Sequence, residues 1–100
     1  MKYLTFLINK EKVGVAYSNK YMLEQTHINK VFLNDNNEYI HYKGEKIPVF
    51  DTSVLIGQEA LKKFDGFLFI HIDKKTLAIK TEGFFKLSDN VKHEIKPLEL

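Results

Sequence analysis

The stretch FLFIHIDKKTLAIK, residues 67–80, decides the fold class, because it predicts a β-hairpin more strongly than any other part of the chain. Apolar residues alternate with the period of a strand on both sides of a polar turn at residues 73–75. The residues that would share one face are Leu68, Ile70 and Ile72 before the turn and Leu77 and Ile79 after it. The most strongly patterned part of the sequence therefore predicts β structure.

Two further hairpins are predicted by the same period. Residues 3–8 and 13–17 alternate in hydropathy on either side of a short polar loop, which indicates an N-terminal hairpin. Residues 39–42 and 46–50 flank a turn at Lys43-Gly44-Glu45 and indicate another. Short strands without intervening long helices predict a mostly β domain, built as a barrel or a sandwich.

Pro48 constrains the strand that contains it. Proline has no N–H to donate to a sheet ladder, so we expect this strand at a sheet edge or this position facing outward. The segments between the hairpins are less regular, and short helical turns fit several of them. The expected elements are a helical turn or crossover at 18–23, a strand within 28–33, a capped turn at 51–57, a helix at 58–64, a strand at 84–87 and an exposed arm at 90–100.

Composition limits the class of protein. The chain has 100 residues, 44% of them hydrophobic, and a formal charge of +2, which indicates one globular domain without a general preference for polyanions. All 15 basic residues are Lys, so bidentate guanidinium contacts to phosphate are excluded. The absence of Cys excludes disulfides and thiolate chemistry. The apolar stretch at residues 3–8 is too short for a membrane span and runs into a polar segment, so we expect a cytoplasmic protein without membrane insertion.

Catalytic and metal sites are not indicated by the sequence. Nothing places a third ligand near any pair of the four histidines, His27, His41, His71 and His93, and a metal site needs several convergent ligands. Asp51 follows an apolar strand, where capping of the next turn explains it. Neither a Gly-x-Ser-x-Gly elbow nor a Gly-rich phosphate loop occurs. We therefore expect no enzyme, no metal and no cofactor.

A family resemblance comes from the stretch EYIHYKGEKIPVFD, residues 38–51. It resembles the central signature of CheW-like domains, in which a strand ending in Asn-Leu-Arg-Gly turns into an apolar-Pro-apolar-apolar-Asp strand and a short helix follows. Asp51 stands in the place of the family Asp, and residues 54–57 resemble the start of that helix. Gly14 in the second strand and Glu82 after the last hairpin also fit the order of the family.

The resemblance implies a pair of small SH3-like β-barrels packed side by side within a single domain, residues 1–100. Subdomain one would span roughly residues 1–57 and subdomain two roughly residues 58–96, with a tail at 97–100. Family members are non-enzymatic chemotaxis adaptors that couple the signalling tip of a chemoreceptor to the regulatory domain of a CheA-type histidine kinase. The protein-binding residues that the resemblance implies here are Tyr39, His41, Tyr42, Lys43 and Gly44.

Two departures from the family pattern affect this interpretation. Lys43 replaces the family Arg tied to receptor binding and His41 replaces the Asn, so the charge is kept but the planar fork is lost. The sequence also stops where the family adds a further hairpin, which predicts an incomplete second barrel. An open barrel exposes unpaired strand edges. We expect a second copy of the chain, in a homo-oligomer, or a partner strand to cover that edge, unless the second sheet is simply smaller.

The main alternative is a small β-barrel that binds single-stranded nucleic acid. Aromatic rings among lysines can act as stacking platforms for bases. Strand alternation places at least one face of these strands in the core, which favours a structural role for most of the rings and makes nucleic acid the less favoured partner. The rings concerned are Tyr39, Tyr42, Phe67, Phe69, Phe84 and Phe85.

Overall fold

The computed structural model of the protein describes residues 2–26, 32–34, 37–53, 56–57, 59 and 64–100. Within these ranges most residues lie in β-strands, which confirms the prediction of a mostly β domain. The strands are β1 (Tyr3–Ile8), β2 (Glu11–Ala16), β3 (Met22–Thr26), β4 (Phe32–Asn34), β5 (Asn37–Tyr42), β6 (Glu45–Phe50), β7 (Gly66–Ile72), β8 (Lys75–Ser88) and β9 (His93–Glu94), and a 3-10 turn follows at Pro97–Glu99.

The hairpins β1–β2 and β5–β6 turn within two residues each. Asn9 and Lys10 have φ of 50° and 68°, and Lys43 and Gly44 have φ of 50° and 80°. Positive φ at both central residues is typical of a type I′ turn, whose twist matches that of the flanking strands. Asn and Gly adopt this conformation readily, whereas Lys does so at some cost in strain. Both predicted hairpins are confirmed.

The β7–β8 hairpin has the register that the alternation predicts, with Ile70 opposite Leu77. Strand β7 is nonetheless buried on both faces. Phe67 and Phe69, which point to the opposite side, are as inaccessible as Ile70. The hairpin therefore forms a wall between two hydrophobic cores instead of covering one.

One hydrophobic core lies on each side of this wall. The first core is covered by β1 and β2, and the second core is covered by β5 and β6. The buried residues of the first core are Leu4, Phe6, Ile8, Val13, Val15, Leu68, Ile70, Ile79 and Ile95, and those of the second are Ile40, Ile47, Phe67, Phe69 and Ala78. Burial contributes about 1.5–3 kcal/mol for each large apolar side chain, so both cores stabilise the fold.

Strand β8 serves both cores because it changes partner along its length. Its first half pairs antiparallel with β7 and parallel with β6, and its second half pairs antiparallel with β1. Gly83 has a φ of 78° and lies at the change of partner, where the pairing with β1 shifts register between Thr5 and Leu7. Glycine adopts this φ at no steric cost. The strand predicted at 84–87 is therefore the second half of one long strand.

The sheet is open. Its order is β4-β5-β6-β8-β1-β2-β9, with β3 paired to β7 only, and no ladder joins the outermost strands within the described ranges. The mostly β class is confirmed, while the pair of SH3-like barrels and the boundary near residue 57 stay predictions. The first core draws on β1 and β2 as well as on β7 and β8.

Two segments differ from the sequence-based expectation. Residues 22–26 form strand β3 along β7 and not a helical turn, because an unpaired edge of β7 would leave backbone groups unsatisfied. The C-terminal segment is not an exposed arm, since β9 pairs in parallel with β2 and both Ile95 and Pro97 are buried. The helix expected at 58–64 lies mostly outside the described residues, as does the strand expected within 28–33 apart from β4.

The capped turn predicted after β6 is present. Asp51 Oδ1 accepts a hydrogen bond of 3.1 Å from the Ser53 N–H and another from the Ser53 hydroxyl. The N–H of Ile56 then donates to the Ser53 carbonyl at 3.2 Å. This arrangement is an Asx-turn, in which a carboxylate replaces a backbone acceptor. Pro48, earlier in β6, is exposed, as expected for a proline within a strand.

Candidate functional site

The five residues predicted to bind protein lie at the tip of the β5–β6 hairpin. His41 and Lys43 are exposed, while Tyr39 and Tyr42 are half-buried. Because successive strand residues point to opposite faces, Tyr39 and His41 lie on one face of β5 and Tyr42 lies on the other. Lys43 and Gly44 form the turn itself, so the hairpin tip presents a lysine to solvent.

The outer face of β5 carries an aromatic group of Phe32, Tyr39 and His41. The ring centroids are 5.6 Å apart for Phe32 and Tyr39, 5.5 Å for Phe32 and His41, and 5.3 Å for Tyr39 and His41. The ammonium of Lys46 lies 4.3 Å from the centre of the Tyr39 ring, within cation–π range. Ile40, between the two β5 rings, is buried in the second core, so the aromatic group faces away from that core.

Tyr42 connects the hairpin tip to the rest of the fold. Its ring centroid lies 4.5 Å from that of Phe69, so the ring covers the end of the second core. Its hydroxyl donates a hydrogen bond of 2.6 Å to Glu24 Oε2 on β3. The tip is thus attached both by packing and by a charge-assisted hydrogen bond.

Glu24 is the centre of a polar group that we name the Glu24 cluster: Glu24, Tyr42, Lys43, His71 and Thr76. Lys43 Nζ lies 3.7 Å from Glu24 Oε2, and His71 Nε2 lies 3.0 Å from Glu24 Oε1. The other ring nitrogen of His71 lies 2.8 Å from Thr76 Oγ1. A neutral imidazole satisfies both contacts, with Nε2–H donating to Glu24 and Nδ1 accepting from the Thr76 hydroxyl. The cluster joins residues of β3, β7, β8 and the β5–β6 hairpin.

Hydrogen bonding lowers the pKa of the Glu24 carboxyl. The largest cause is the Tyr42 hydroxyl, followed by His71, while partial burial acts in the opposite direction. The same hydrogen bond raises the pKa of the Tyr42 phenol, because it favours the protonated form that donates. Glu24 is therefore an anion at neutral pH that holds several donors at the hairpin tip.

Acidification is expected to destabilise the protein through Glu24 and Glu11. Glu11 accepts hydrogen bonds from Lys92 at 2.7 Å and His93 at 2.8 Å, and its pKa is also lowered, chiefly by Lys92. A carboxyl with a lower pKa in the folded state stabilises the fold fully above its ordinary value of 4.5, and this stabilisation is lost as the pH falls through the lower, folded value. The urea midpoint of unfolding should therefore decrease between pH of about 6 and about 3.

A substitution tests the contribution of Glu24 to this acid dependence. The Glu24→Gln variant should show a shallower decrease of the urea midpoint with acidification than the unmodified protein. Glu99→Gln, at an exposed position, serves as the matched control and should leave the slope unchanged. A Glu24→Gln slope equal to that of the unmodified protein would show that the Glu24 carboxylate does not gain its donors on folding.

The order of Thr76, His71 and Glu24 is that of a hydroxyl, an imidazole and a carboxylate in nucleophilic triads. His71 and Thr76 are also direct cross-strand partners in the β7–β8 ladder. Polar cross-strand pairs of this kind stabilise sheets. The placement of His71 and Thr76 in the ladder therefore accounts for their contact as part of the sheet.

An apolar groove of about 650 Å³ lies next to the cluster, between β6, the β7–β8 turn and the C-terminal segment. Thr76 lines it and so connects it to the Glu24 cluster. A shallower polar depression of about 460 Å³ leads from the groove along the start of β6, where Lys46, Lys74 and Lys75 line it. The residues that line the apolar groove are Pro48, Phe50, Ile72, Asp73, Lys74, Lys75, Thr76, Leu77, Pro97, Leu98 and Leu100.

The groove is continuous with the aromatic group through β6. Pro48, which lines the groove, lies directly opposite Tyr39 in the β5–β6 ladder. Phe50 and Leu98 are 39% and 54% exposed, so the groove presents apolar surface to solvent. Apolar patches rimmed by polar residues are typical of binding surfaces. The aromatic group and the groove thus adjoin each other along β6.

The structure separates the aromatic rings that were considered as a stacking platform. Phe67 and Phe69 are fully buried, and Phe85 is half-buried with its ring centroid 5.8 Å from that of Phe6. Phe84 is 83% exposed and lies in the second half of β8, where that strand pairs with β1. The rings do not form one platform. The described histidines likewise belong to no group of three metal-ligating side chains within the described residues.

Glu24, Phe50 and Leu98 were not anticipated as site residues. Glu24 lies in a segment whose only large aliphatic side chains are those of Met22 and Leu23, so alternation gives no strand signal. Leu98 lies in the segment that the sequence predicts to be an exposed arm. Glu24 and Leu98 reach the surface described above through contacts far away in the sequence, for which a single sequence carries no signal.

No family model matches this chain, and no curated protein matches its sequence. The resemblance to CheW-like domains therefore depends on the residues quoted above. Within the described part of the chain, no helix has the length and apolar character needed to cross a membrane.

Proposed function

We propose that this chain is a non-enzymatic, cytoplasmic adaptor of the CheW-like type. It would couple the signalling tip of a chemoreceptor to the regulatory domain of a CheA-type histidine kinase through protein–protein contacts. The observation that carries the proposal is the apolar groove, which adjoins the aromatic group along β6, the second strand of the hairpin that the Lys43 turn closes. This is also where the family resemblance places receptor-binding residues.

The chemistry of this surface suits a helical protein segment. A groove with an apolar floor accepts the apolar side of an amphipathic helix, as in other helix-in-groove interfaces. Aromatic rings beside the groove supply large contact area at low cost in conformational entropy. Lys43 at the hairpin tip adds charge, which acts more on the association rate and on partner choice than on affinity.

The Glu24 cluster supports the proposal in a second way. Binding surfaces work best when their side chains are held in place before the partner arrives. Tyr42 is fixed by Phe69 and by Glu24, and Lys43 lies within ion-pair distance of the same carboxylate. The hairpin tip is therefore preorganised, although its turn is exposed.

Reversing the charge of Lys43 tests the proposal. Lys43→Glu should weaken binding to an immobilised receptor signalling tip by about tenfold, because the lysine of the hairpin tip is lost and a carboxylate is added beside Glu24. Binding is measured by surface plasmon resonance at low and at physiological salt, with the CheA-type regulatory domain as a second ligand. Circular dichroism checks that the variant is folded.

Lys20→Glu is the matched control, since Lys20 is an exposed lysine outside this surface. It should bind like the unmodified protein. Equal binding by the Lys43→Glu variant would remove Lys43 from the interface. Failure of the unmodified protein to bind either ligand at either salt would refute the coupling role.

Single-stranded nucleic acid binding is the second candidate, and the contact between Lys46 and the Tyr39 ring favours it. An aromatic ring with a lysine over it can stack a base and contact its phosphate. Binding through several lysines would weaken steeply with salt, whereas binding in an apolar groove would not. The two-salt measurement, repeated with a single-stranded oligonucleotide, therefore separates the two functions. Self-association at an open sheet edge stays a prediction.

A further inference from the structure

A second exposed apolar surface lies on the outer face of the β1–β8 ladder, on the half of β8 that is not used by the surface described above. Phe84 is 83% exposed and Leu7 is 38% exposed. Both side chains point away from the first core, because Phe6 and Phe85, their neighbours in sequence, point towards it. We name this area the Phe84 surface; it comprises Thr5, Leu7, Lys12, Gly83, Phe84 and Lys86.

A hollow of about 400 Å³ lies beside the protruding Phe84 ring. Gly83 leaves room for it, since a Cβ at this position would approach Leu7 Cδ1 to 3.3 Å. The side chain of Leu7 leans over Gly83 and forms one wall of the hollow. The surface therefore offers both an apolar ring that protrudes and an apolar hollow that could receive a side chain.

The charged side chains that line the hollow are of one sign, and the nearby carboxylate of Glu82, opposite Leu7 in the β1–β8 ladder, accepts a hydrogen bond of 2.8 Å from the Lys10 N–H. Lys12 and Lys86 line it, and no carboxylate does so among the described residues. Lys12 reaches across β1 and donates a hydrogen bond of 2.8 Å to Ser88 Oγ, which leaves its charge without an anionic partner within the described residues. Lys86 is exposed and forms no ion pair within those residues either. The hollow is thus apolar at its centre, and two lysines line it.

This charge distribution favours some binding partners of the Phe84 surface over others. A second copy of the chain, placed with its Phe84 in the hollow of the first, would bring the lysines of both copies together. Like charges brought face to face at an interface cost free energy. An anionic membrane would satisfy the lysines, but it would have no use for a hollow shaped by Leu7 and Gly83.

We infer that the Phe84 surface binds a segment of a partner protein that presents one apolar side chain to the hollow, flanked by Asp or Glu. The apolar side chain fills the space over Gly83 against Leu7 and the Phe84 ring. The flanking carboxylates lie within reach of Lys12 and Lys86, where charge-assisted hydrogen bonds are stronger than neutral ones. This inference does not depend on the proposed coupling function.

A peptide titration tests the inference. The ¹⁵N-labelled protein is titrated with a pool of short peptides in which a central Leu, Ile or Phe is flanked by Glu at varied spacings. A matched pool carries Lys in place of every Glu. We expect the acidic pool to shift the amide resonances of Leu7, Gly83, Phe84 and Lys86, while the basic pool leaves them in place.

Two variants make the test specific. Phe84→Ser should weaken the acidic pool's binding by about tenfold, as for a central aromatic anchor, and Lys12→Glu combined with Lys86→Glu should abolish it. Leu98→Ser removes an exposed apolar residue of the apolar groove and should leave binding unchanged. Since Phe84 and Lys86 are exposed, these changes should not unfold the protein.

Three outcomes would overturn the inference. One is an absence of shifts at the Phe84 surface with the acidic pool, or equal shifts with the basic pool. Another is broadening of these resonances by phosphatidylglycerol vesicles without any response to the peptides, which would indicate a membrane surface. The last is a change in the chemical shifts of the same resonances with protein concentration in the absence of peptide, which would indicate binding of a second copy.

Discussion

The Ile70→Asp variant is expected to lose its cooperative thermal unfolding transition. Ile70 is fully inaccessible and faces the first core, where no described cation lies beside it. Burying a carboxylate without a partner costs several kcal/mol, and the total stability of a domain is about 5–15 kcal/mol. Circular dichroism during heating measures the result.

Two further variants test whether both faces of β7 are buried. Phe69→Asp should be equally disruptive although it points to the other face of β7, because that face is buried in the second core. Met22→Asp is the control, since Met22 lies across the β3–β7 ladder from His71 and is 71% exposed. It should melt like the unmodified protein. A cooperative melt of Ile70→Asp near the unmodified temperature would contradict the placement of β7 between two cores.

The second large effect is expected at the ion pair of Lys80 and Glu38. Lys80 Nζ lies 2.8 Å from Glu38 Oε2, and only 9% of the Lys80 side chain is exposed, against 33% for Glu38. Replacing Glu38 by Leu leaves the buried ammonium without its partner. Loss of one member of a buried pair costs about 3–5 kcal/mol, and the partial exposure of Glu38 reduces this to about 2–3 kcal/mol.

Replacing Lys80 by Met should cost less stability than replacing Glu38 by Leu, because the Glu38 carboxylate can still reach water. In the double variant, Glu38→Leu with Lys80→Met, two apolar side chains replace the pair. Its free energy of unfolding should return to within about 1 kcal/mol of the unmodified protein, as for other buried pairs replaced by hydrophobic residues. Urea unfolding measures all four proteins of this cycle. Additive costs in the double variant would show that the two charges do not interact.

Local patterning accounts for the parts of the fold that the sequence predicts. The three hairpins each combine alternating apolar residues with a short polar turn, and both signals lie within about 15 residues of sequence. The register of β7 and β8 follows from the positions of Ile70 and Leu77 alone, because a slip of one residue would expose them.

The parts of the fold that the sequence does not predict depend on pairing between distant segments. Strand β3 is recognisable only as the neighbour of β7, more than 40 residues later, since Glu24 lies opposite Phe69. Strand β9 has two residues, and Ile95 is buried because His93 pairs with Val13. The burial of both faces of β7 follows from what β5 and β6 cover, which alternation within β7 does not reveal.

Only part of the candidate site could be predicted from the sequence, because long-range contacts bring the rest of it together. The residues of the β5–β6 tip could be quoted from one stretch of sequence, and they lie together because a hairpin holds them together. The cluster around Glu24 combines that tip with His71 and Thr76 from another hairpin. The Phe84 surface depends on the change of partner at Gly83, which sequence alone presents as the end of one strand and the start of another.

The late partners of β1 and β2 have a consequence for synthesis on the ribosome. The first hairpin emerges before its partners, since its apolar side packs against Leu68, Ile70 and Ile79 and its edges pair with β8 and β9, about 50–80 residues later. At about 5–20 residues per second, the apolar side of that hairpin stays uncovered for several seconds. Nascent chains of this protein should therefore need protection by a chaperone until β8 has left the exit tunnel.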